Sequence, residues 1–286
     1  MREAKIVLPK REYESGEPIE GHAVIWCDKE YSANAVTIRF VAREHTKIVV
    51  SNGDSSTTYR EEEVYTNEVT VLKQEGSIYP GEERLPFRFV IPSDTPSTYH
   101  GTWANVEYTL ELKVDIPWAF DIVRKGELNV KSYDRPPQSR HIRVMSDRKE
   151  YPELQAEVKK DVVCIGDDLE FNVCVSDSQN IRGLRVEVVN REWAKAKRIK
   201  RDGDNVVLRK FFPESKIQTN SWIKMRLKTG SRVPVSFQTP LMNSKVLLKI
   251  TMDVPWNFDT SIYVPIYTVH CPALSGDDQF LFEDIQ

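Results

Sequence analysis

Apolar and polar residues alternate with a period of two along much of this chain, and that restricts its fold more than any other feature. In EYTLELKVDI, Tyr108, Leu110, Leu112, Val114 and Ile116 share one face while Glu107, Thr109, Glu111, Lys113 and Asp115 share the other, which is the pattern of a half-buried strand. KVLLKITMDV repeats the phase with Val246, Leu248, Ile250, Met252 and Val254, and only Leu247 falls out of step. Further strands are predicted over 35–42, 62–72, 169–175, 184–189 and 205–212, each bounded by Gly, Pro, Asn, Asp or Ser. REWAKAKRIKR at 191–201 comes nearest to a helical stripe, and it is short. The expected fold class is all-β.

The pattern is also duplicated. VDIPWAFD at 114–121 returns as MDVPWNFD at 252–259, LPFRFVIP at 85–92 resembles VPVSFQTP at 233–240, and ESGEPIEGHAVIWC at 14–27 resembles CIGDDLEFNVCV at 164–175. The same order in both halves implies tandem homologous domains, and 286 residues suit two domains of about 150 each. The expected division is 1–132 and 153–272 for two β-sandwiches, 133–152 for a linker containing Pro136 and Pro137, and 273–286 for an acidic tail. On this pairing SDTPSTYHGTW at 93–103 has only LMNS opposite it, so 93–103 reads as a loop particular to the first domain.

Composition narrows the function classes. With 40 % hydrophobic and 29 % charged residues the chain can bury a core in each half. A net charge of -3 gives no polyanion-binding surplus, so no nucleic acid is expected as partner. No apolar run approaches the roughly 20 residues of a membrane-spanning helix. The start carries no signal-peptide pattern, and a cytoplasmic location follows as the expectation. Cys27, Cys164, Cys174 and Cys271 show no CxxC spacing, and reduced thiols are expected, buried at Cys164 and Cys174. His22, His45, His100, His141 and His270 are isolated, and neither a nucleophile motif nor a phosphate loop appears. No enzyme activity, no metal and no cofactor are expected.

YxxGExIxG at 13–21, LPFRFVIPSDTPSTYHG at 85–101, VEYTLELKVDIPWAFD at 106–121 and MDVPWNFD at 252–259 together resemble the arrestin superfamily. The likeness is strongest to α-arrestins and to prokaryotic arrestin-like proteins of the sporulation-control type. It implies two tandem arrestin-like (immunoglobulin-like) β-sandwich domains and a non-enzymatic adaptor or scaffold for signalling or protein transport. Such a scaffold would bind a peptide or a cytoplasmic segment of a membrane protein. Arg135-Pro136-Pro137-Gln138-Ser139 stands where the α-arrestin Pro-Pro-x-Tyr motif would recruit a ubiquitin ligase, so that output is not implied. FLFED at 280–284 has an apolar-acidic character suited to docking, and the tail could occupy a groove as a regulatory mimic. The alternative is a self-associating structural or stress- and sporulation-related β-sandwich protein.

Three groups of site residues follow. By the resemblance, Lys10 and Arg11, with Lys5, would contact an acidic or phosphorylated peptide; equally, they form a solvated edge that discourages aggregation. Lys195, Lys197, Arg198, Lys200 and Arg201 would hold the protein peripherally to an anionic membrane, or they form a solvated hairpin leading to an Asp202-Gly203 turn. Pro117 and Pro255 must stand where strands end. Trp118 and Trp256 are expected to fold over the open ends of their sandwiches, with Phe120 and Phe258 continuing the seal and Asp121 and Asp259 capping a turn; paired aromatic peptide sites are the other reading.

Overall fold

The computed structural model describes residues 1–133, 137–147, 153–176, 181–230, 232–255 and 259–271. Pro136, Trp256, Phe258 and the tail from residue 272 onward lie outside the described residues, as do 134–136 and 148–152 of the expected linker. The first half contains β1 (Arg2–Val7), β2 (Glu12–Glu14), β3 (Pro18–Cys27), β4 (Tyr31–Ala33), β5 (Ala35–Asn52), β6 (Ser55–Lys73), β7 (Gly76–Ile78), β8 (Gly81–Val90), β9 (Tyr99–His100), β10 (Ala104–Asp115) and β11 (Ile122–Lys131). The second contains β12 (Ile142–Met145), β13 (Leu154–Val158), β14 (Val162–Cys164), β15 (Asp168–Val175), β16 (Gly183–Ala196), β17 (Ile199–Pro213), β18 (Ile223–Lys228), β19 (Phe237–Gln238), β20 (Met242–Asp253) and β21 (Thr260–Val269).

Each half is a sandwich. In the first, β1-β3-β8 packs on the sheet β2-β11-β10-β5-β6, with β9 beside β10 and a small β4-β7 pair at one end. In the second, β12-β13-β15-β18 packs on β14-β21-β20-β16-β17, with β19 beside β20. The alternation supplies the cores: Tyr108, Leu110, Leu112 and Val114 are all buried, as are Leu248, Ile250 and Met252. Ile19, Phe87 and Phe89 from one sheet meet Phe40 and Tyr108 from the other, and Phe171 and Leu227 meet Val186 and Leu248 in the second half.

Matching hydrogen bonds establish the duplication in detail. Val130 N donates to Thr98 Oγ1 at 2.8 Å while Thr98 N donates to Val130 O at 2.8 Å; Thr268 N donates to Ser236 Oγ at 3.1 Å while Ser236 N donates to Thr268 O at 2.9 Å. Lys47 N reaches Trp103 O, and Lys195 N reaches Leu241 O, each at 2.8 Å. Residues 95–104 therefore correspond to 233–242, and β8 corresponds to β18, since each pairs with the long strand of its three- or four-stranded sheet. Two expectations are corrected. VPVSFQTP is not the counterpart of LPFRFVIP, and 93–103 is not a loop peculiar to the first half. Pro and Phe coincide in type between those two stretches, whereas pairing register decides equivalence.

Two further corrections concern local structure. REWAKAKRIKR is the end of β16, a two-residue turn and the start of β17, a hairpin as expected but with its turn elsewhere. The turn is Lys197-Arg198, with Lys197 at φ 58° as tight hairpins require, so Asp202 and Gly203 lie inside β17. Trp118 does not close the sandwich end; it is fully exposed, and so is Phe120. Pro117 and Pro255 do follow the ends of β10 and β20, and Asp121 and Asp259 each accept from a backbone N–H five residues earlier, at 3.2 Å from Ile116 and Val254. The carboxylates close these turns because that amide, just past the strand end, has no ladder partner.

The thiol expectation fails at one pair. β14 runs parallel to β21 with Cys164 opposite Val269, which brings Cys271 to a Cα–Cα distance of 5.5 Å from Cys164, and the two are bonded as a disulfide. Sequence spacing could not reveal this, because 107 residues separate them. Cys27 is a buried free thiol and Cys174 a half-buried one.

Candidate functional site

The alternation that builds the cores also buries two carboxylates. On β5, Glu44 and Thr46 share the inward phase of Phe40, Ala42 and Ile48; on β16, Glu192 shares the phase of Leu184, Val186 and Val188. At these positions each strand has passed beyond its own core and meets the other sandwich. Glu192 accepts from the Thr102, Trp103 and Ala104 amides at 2.7, 2.8 and 3.2 Å, and from Tyr99 Oη at 3.3 Å. All four donors belong to the segment after β8 in the first half. Glu44 accepts from Thr239 Oγ1 at 2.5 Å and from Tyr65 Oη at 2.9 Å, and the Leu241 amide bonds to it as well. Glu44 and Glu192 occupy equivalent positions in the two sandwiches, and each anchors the equivalent loop of the other.

Other groups complete this reciprocal joint. Tyr99 packs edge-to-face on its counterpart Phe237, with ring centroids 5.2 Å apart, and Asn190 Nδ2 donates to Tyr99 Oη at 2.9 Å. Ala194 and Met242 from the second half belong to the core of the first. Thr46 Oγ1 donates to Lys195 O at 2.7 Å. Two glycines permit the approach: a Cβ at Gly101 would stand 2.4 Å from Glu192 Oε2, and one at Gly203 would stand 2.6 Å from the Trp103 ring.

Burial sets the titration of the joint. It pushes the Tyr99 hydroxyl up to about 12, with the nearby Glu192 charge adding to the effect, and it raises Tyr65 above the usual tyrosine range, again with a carboxylate beside it. Burial likewise raises the Glu44 carboxyl, partly offset by its donors. A carboxyl raised on folding adds stability below its unfolded value that is lost as pH rises through its folded value. Glu44→Gln should therefore flatten the stability profile on the neutral side of the ordinary carboxylate range, while the wild type loses stability there; urea midpoints collected across pH test this, and parallel profiles would contradict it.

Beside the joint the two sandwiches enclose an open cleft of about 810 Å³, whose walls include Glu12, Asn129 and Lys131 from the first half and Asn205, Arg232 and His270 from the second. Lys131 is ion-paired to Glu12, which holds Glu12 below the usual carboxylate range. Burial, with Lys131 nearby, lowers the His270 imidazole, so that residue is neutral at pH 7 and offers a lone pair or a single N–H. Exposed Arg232 and His100 bring cationic and imidazole groups to the same space. The arrangement suits hydrogen bonding to a polypeptide.

The residues expected from sequence are dispersed around this centre. Lys5 lies exposed on β1, an edge strand. Lys10 is tied to Glu17 at 2.5 Å and stands 5.0 Å over the Tyr13 ring, whereas Arg11 is exposed. Lys195, Lys197, Arg198, Lys200 and Arg201 form a hairpin that docks on the first sandwich, where Lys197 N donates to Glu61 on β6; Lys200 also lies 5.6 Å over Trp193. Glu44 and Glu192 carried a sequence signal, an acid in the inward phase of an apolar strand. The Tyr99 loop stood out only as the supposed insertion at 93–103, and the Thr239 loop carried no signal.

Comparison with known proteins accords with this architecture. Residues 4–133 match the family described as arrestin (or S-antigen), N-terminal domain. The first sandwich is thus similar to an arrestin N-terminal domain. The chain is 27 % identical over 135 residues to arrestin domain-containing protein 17 of Caenorhabditis elegans, covering 43 % of this chain and 32 % of that protein. It is 26 % identical over 105 residues to arrestin domain-containing protein 1 of Rattus norvegicus and 25 % to that of Homo sapiens, each match covering 37 % of this chain and 23 % of the relative. The matches thus span about a third or less of the relatives' length. Among the described residues no helix is long and apolar enough to cross a membrane.

Proposed function

We propose that this chain is an arrestin-like, non-enzymatic cytoplasmic adaptor that receives a peptide, such as a cytoplasmic segment of a membrane protein, in the cleft between its sandwiches. The reciprocal Glu44 and Glu192 joint carries this reading. It holds the two walls of the cleft in place before any ligand arrives, and a preorganised wall spares the ordering cost that weakens peptide binding. Arg232 and His100 offer side-chain contacts to an acidic or phosphorylated segment, and Asn129 and Asn205 offer amide contacts.

Affinity capture with the full chain tests the site. Arg232→Glu/His100→Glu should lose bound membrane-protein segments while its melting temperature stays that of the wild type, and Lys10→Glu/Arg11→Glu should retain them. The opposite pattern would move recognition to the β1 side, and retention by both variants would overturn the proposal. One observation favours a second reading, self-association: β6 is an outer strand exposing Val64, Val69 and Val71, a template for strand pairing. Light scattering over a concentration series separates a monomer from that assembly.

A further inference from the structure

We propose that the turn Pro117–Phe120 is a wedge that inserts into the interfacial region of a lipid bilayer, as a membrane contact separate from the basic hairpin and the cleft. The turn joins β10 to β11 and carries Trp118 at 105 % and Phe120 at 99 % exposure. Rings exposed to that degree have no neighbours, so the turn offers a protrusion and not a pocket. A protrusion of this kind matches a deformable apolar medium better than a peptide, which needs a groove. Trp118 is also one of only three non-glycine residues at positive φ among the described residues, at 60°, a backbone state that L side chains adopt at a cost.

Hydrogen bonds fix that geometry from below. Asp121 Oδ1 accepts from Ile116 N at 3.2 Å, Ala119 N donates to Ile116 O at 3.3 Å, and Lys113 Nζ lies 3.0 Å from Asp121. The rings are thus held outward by a closed turn. Lys113 is shared with Asp115 at 3.8 Å, and Lys125 pairs with Glu111 at 2.8 Å, so each of these three acids has a cation within 4 Å. Exposed Val123 follows on β11, and exposed Tyr79 and Met1 stand at the same end of the sandwich, since Asn34 N bonds Asp115 O and Cys27 Sγ bonds Tyr79 O. Trp, Tyr and Phe beside a short apolar tip form the side-chain set favoured at a membrane–water interface.

Sedimentation of the full chain with vesicles of phosphatidylcholine, alone or mixed with phosphatidylserine, tests the wedge. Wild type should partition to both, and Trp118→Ser/Phe120→Ser should weaken both by about tenfold or more, with unchanged melting temperature because neither ring packs on the core. Brominated lipid should quench wild-type fluorescence and quench Trp118→Phe less. Lys197→Glu/Arg198→Glu should leave binding to phosphatidylcholine alone unaltered. Equal partition of wild type and Trp118→Ser/Phe120→Ser, or no partition of wild type to either vesicle, would overturn the proposal. So would a dimer in light scattering that disappears with the double serine variant, since the rings would then face a second copy.

Discussion

Glu192→Ala should lower the unfolding free energy by about 3–5 kcal/mol, the scale for removing one partner from a buried, charge-assisted network. The carboxylate is wholly buried, and its loss leaves the Thr102, Trp103 and Ala104 amides facing an empty space no other acceptor fills. Glu192→Gln should cost less, because one amide oxygen still accepts, while its NH2 group opposes N–H donors. The damage should also be geometric. The loop that presents Tyr99 to Phe237 is held by Glu192, so small-angle scattering should show a larger radius of gyration for Glu192→Ala. Urea unfolding gives the energy; a change below about 1 kcal/mol with unaltered scattering would show that the joint is held elsewhere. Gly101→Ala should resemble it, since the added Cβ meets the same carboxylate.

The second large effect is expected from the Cys164–Cys271 bond. Cross-linking across 107 residues restricts the unfolded chain strongly, and the loop-entropy relation gives an upper figure of about 4.7 kcal/mol, with about 2–4 usual in practice. Cys164→Ser should therefore lower the melting temperature markedly under oxidising conditions. Reductant should lower that of the wild type to nearly the same value and leave Cys164→Ser unmoved. Cys174→Ser, removing a free thiol, should scarcely matter. If reductant does not affect the wild type, the bond contributes nothing to folding.

Much of the fold was legible because burial on one face writes itself into sequence with a period of two. Tyr108 to Ile116 and Val246 to Val254 show it almost without interruption, and the repeat of Pro-Trp turns announced two sibling sandwiches. The places where reading failed have separate physical causes. LPFRFVIP and VPVSFQTP share residue types, but ladder register assigns them to different elements. In 195–201 the hairpin turn was placed at Asp202-Gly203 because that pair favours tight turns, whereas pairing of Ala196 with Ile199 sets it at Lys197-Arg198. Trp118 was placed inside because large aromatics usually are buried, whereas its turn is closed by Asp121 and needs no apolar lid.

The candidate site divides in the same way. Lys10 and the 195–201 cations are conspicuous in sequence, and the structure pairs Lys10 with Glu17 and rests the hairpin on Glu61. Glu44 and Glu192 look like lapses in an apolar strand until the second sandwich supplies their donors. Sequence alone determined the all-β class, the duplication and the family likeness, because alternation and order of motifs are local properties of the chain. Only tertiary structure decided which loops are equivalent, which cysteines bond, where Trp118 points and what satisfies the two buried acids. The disulfide and the two buried acids depend on groups brought together from 88 to 195 positions apart, and no local pattern records a partner at that distance.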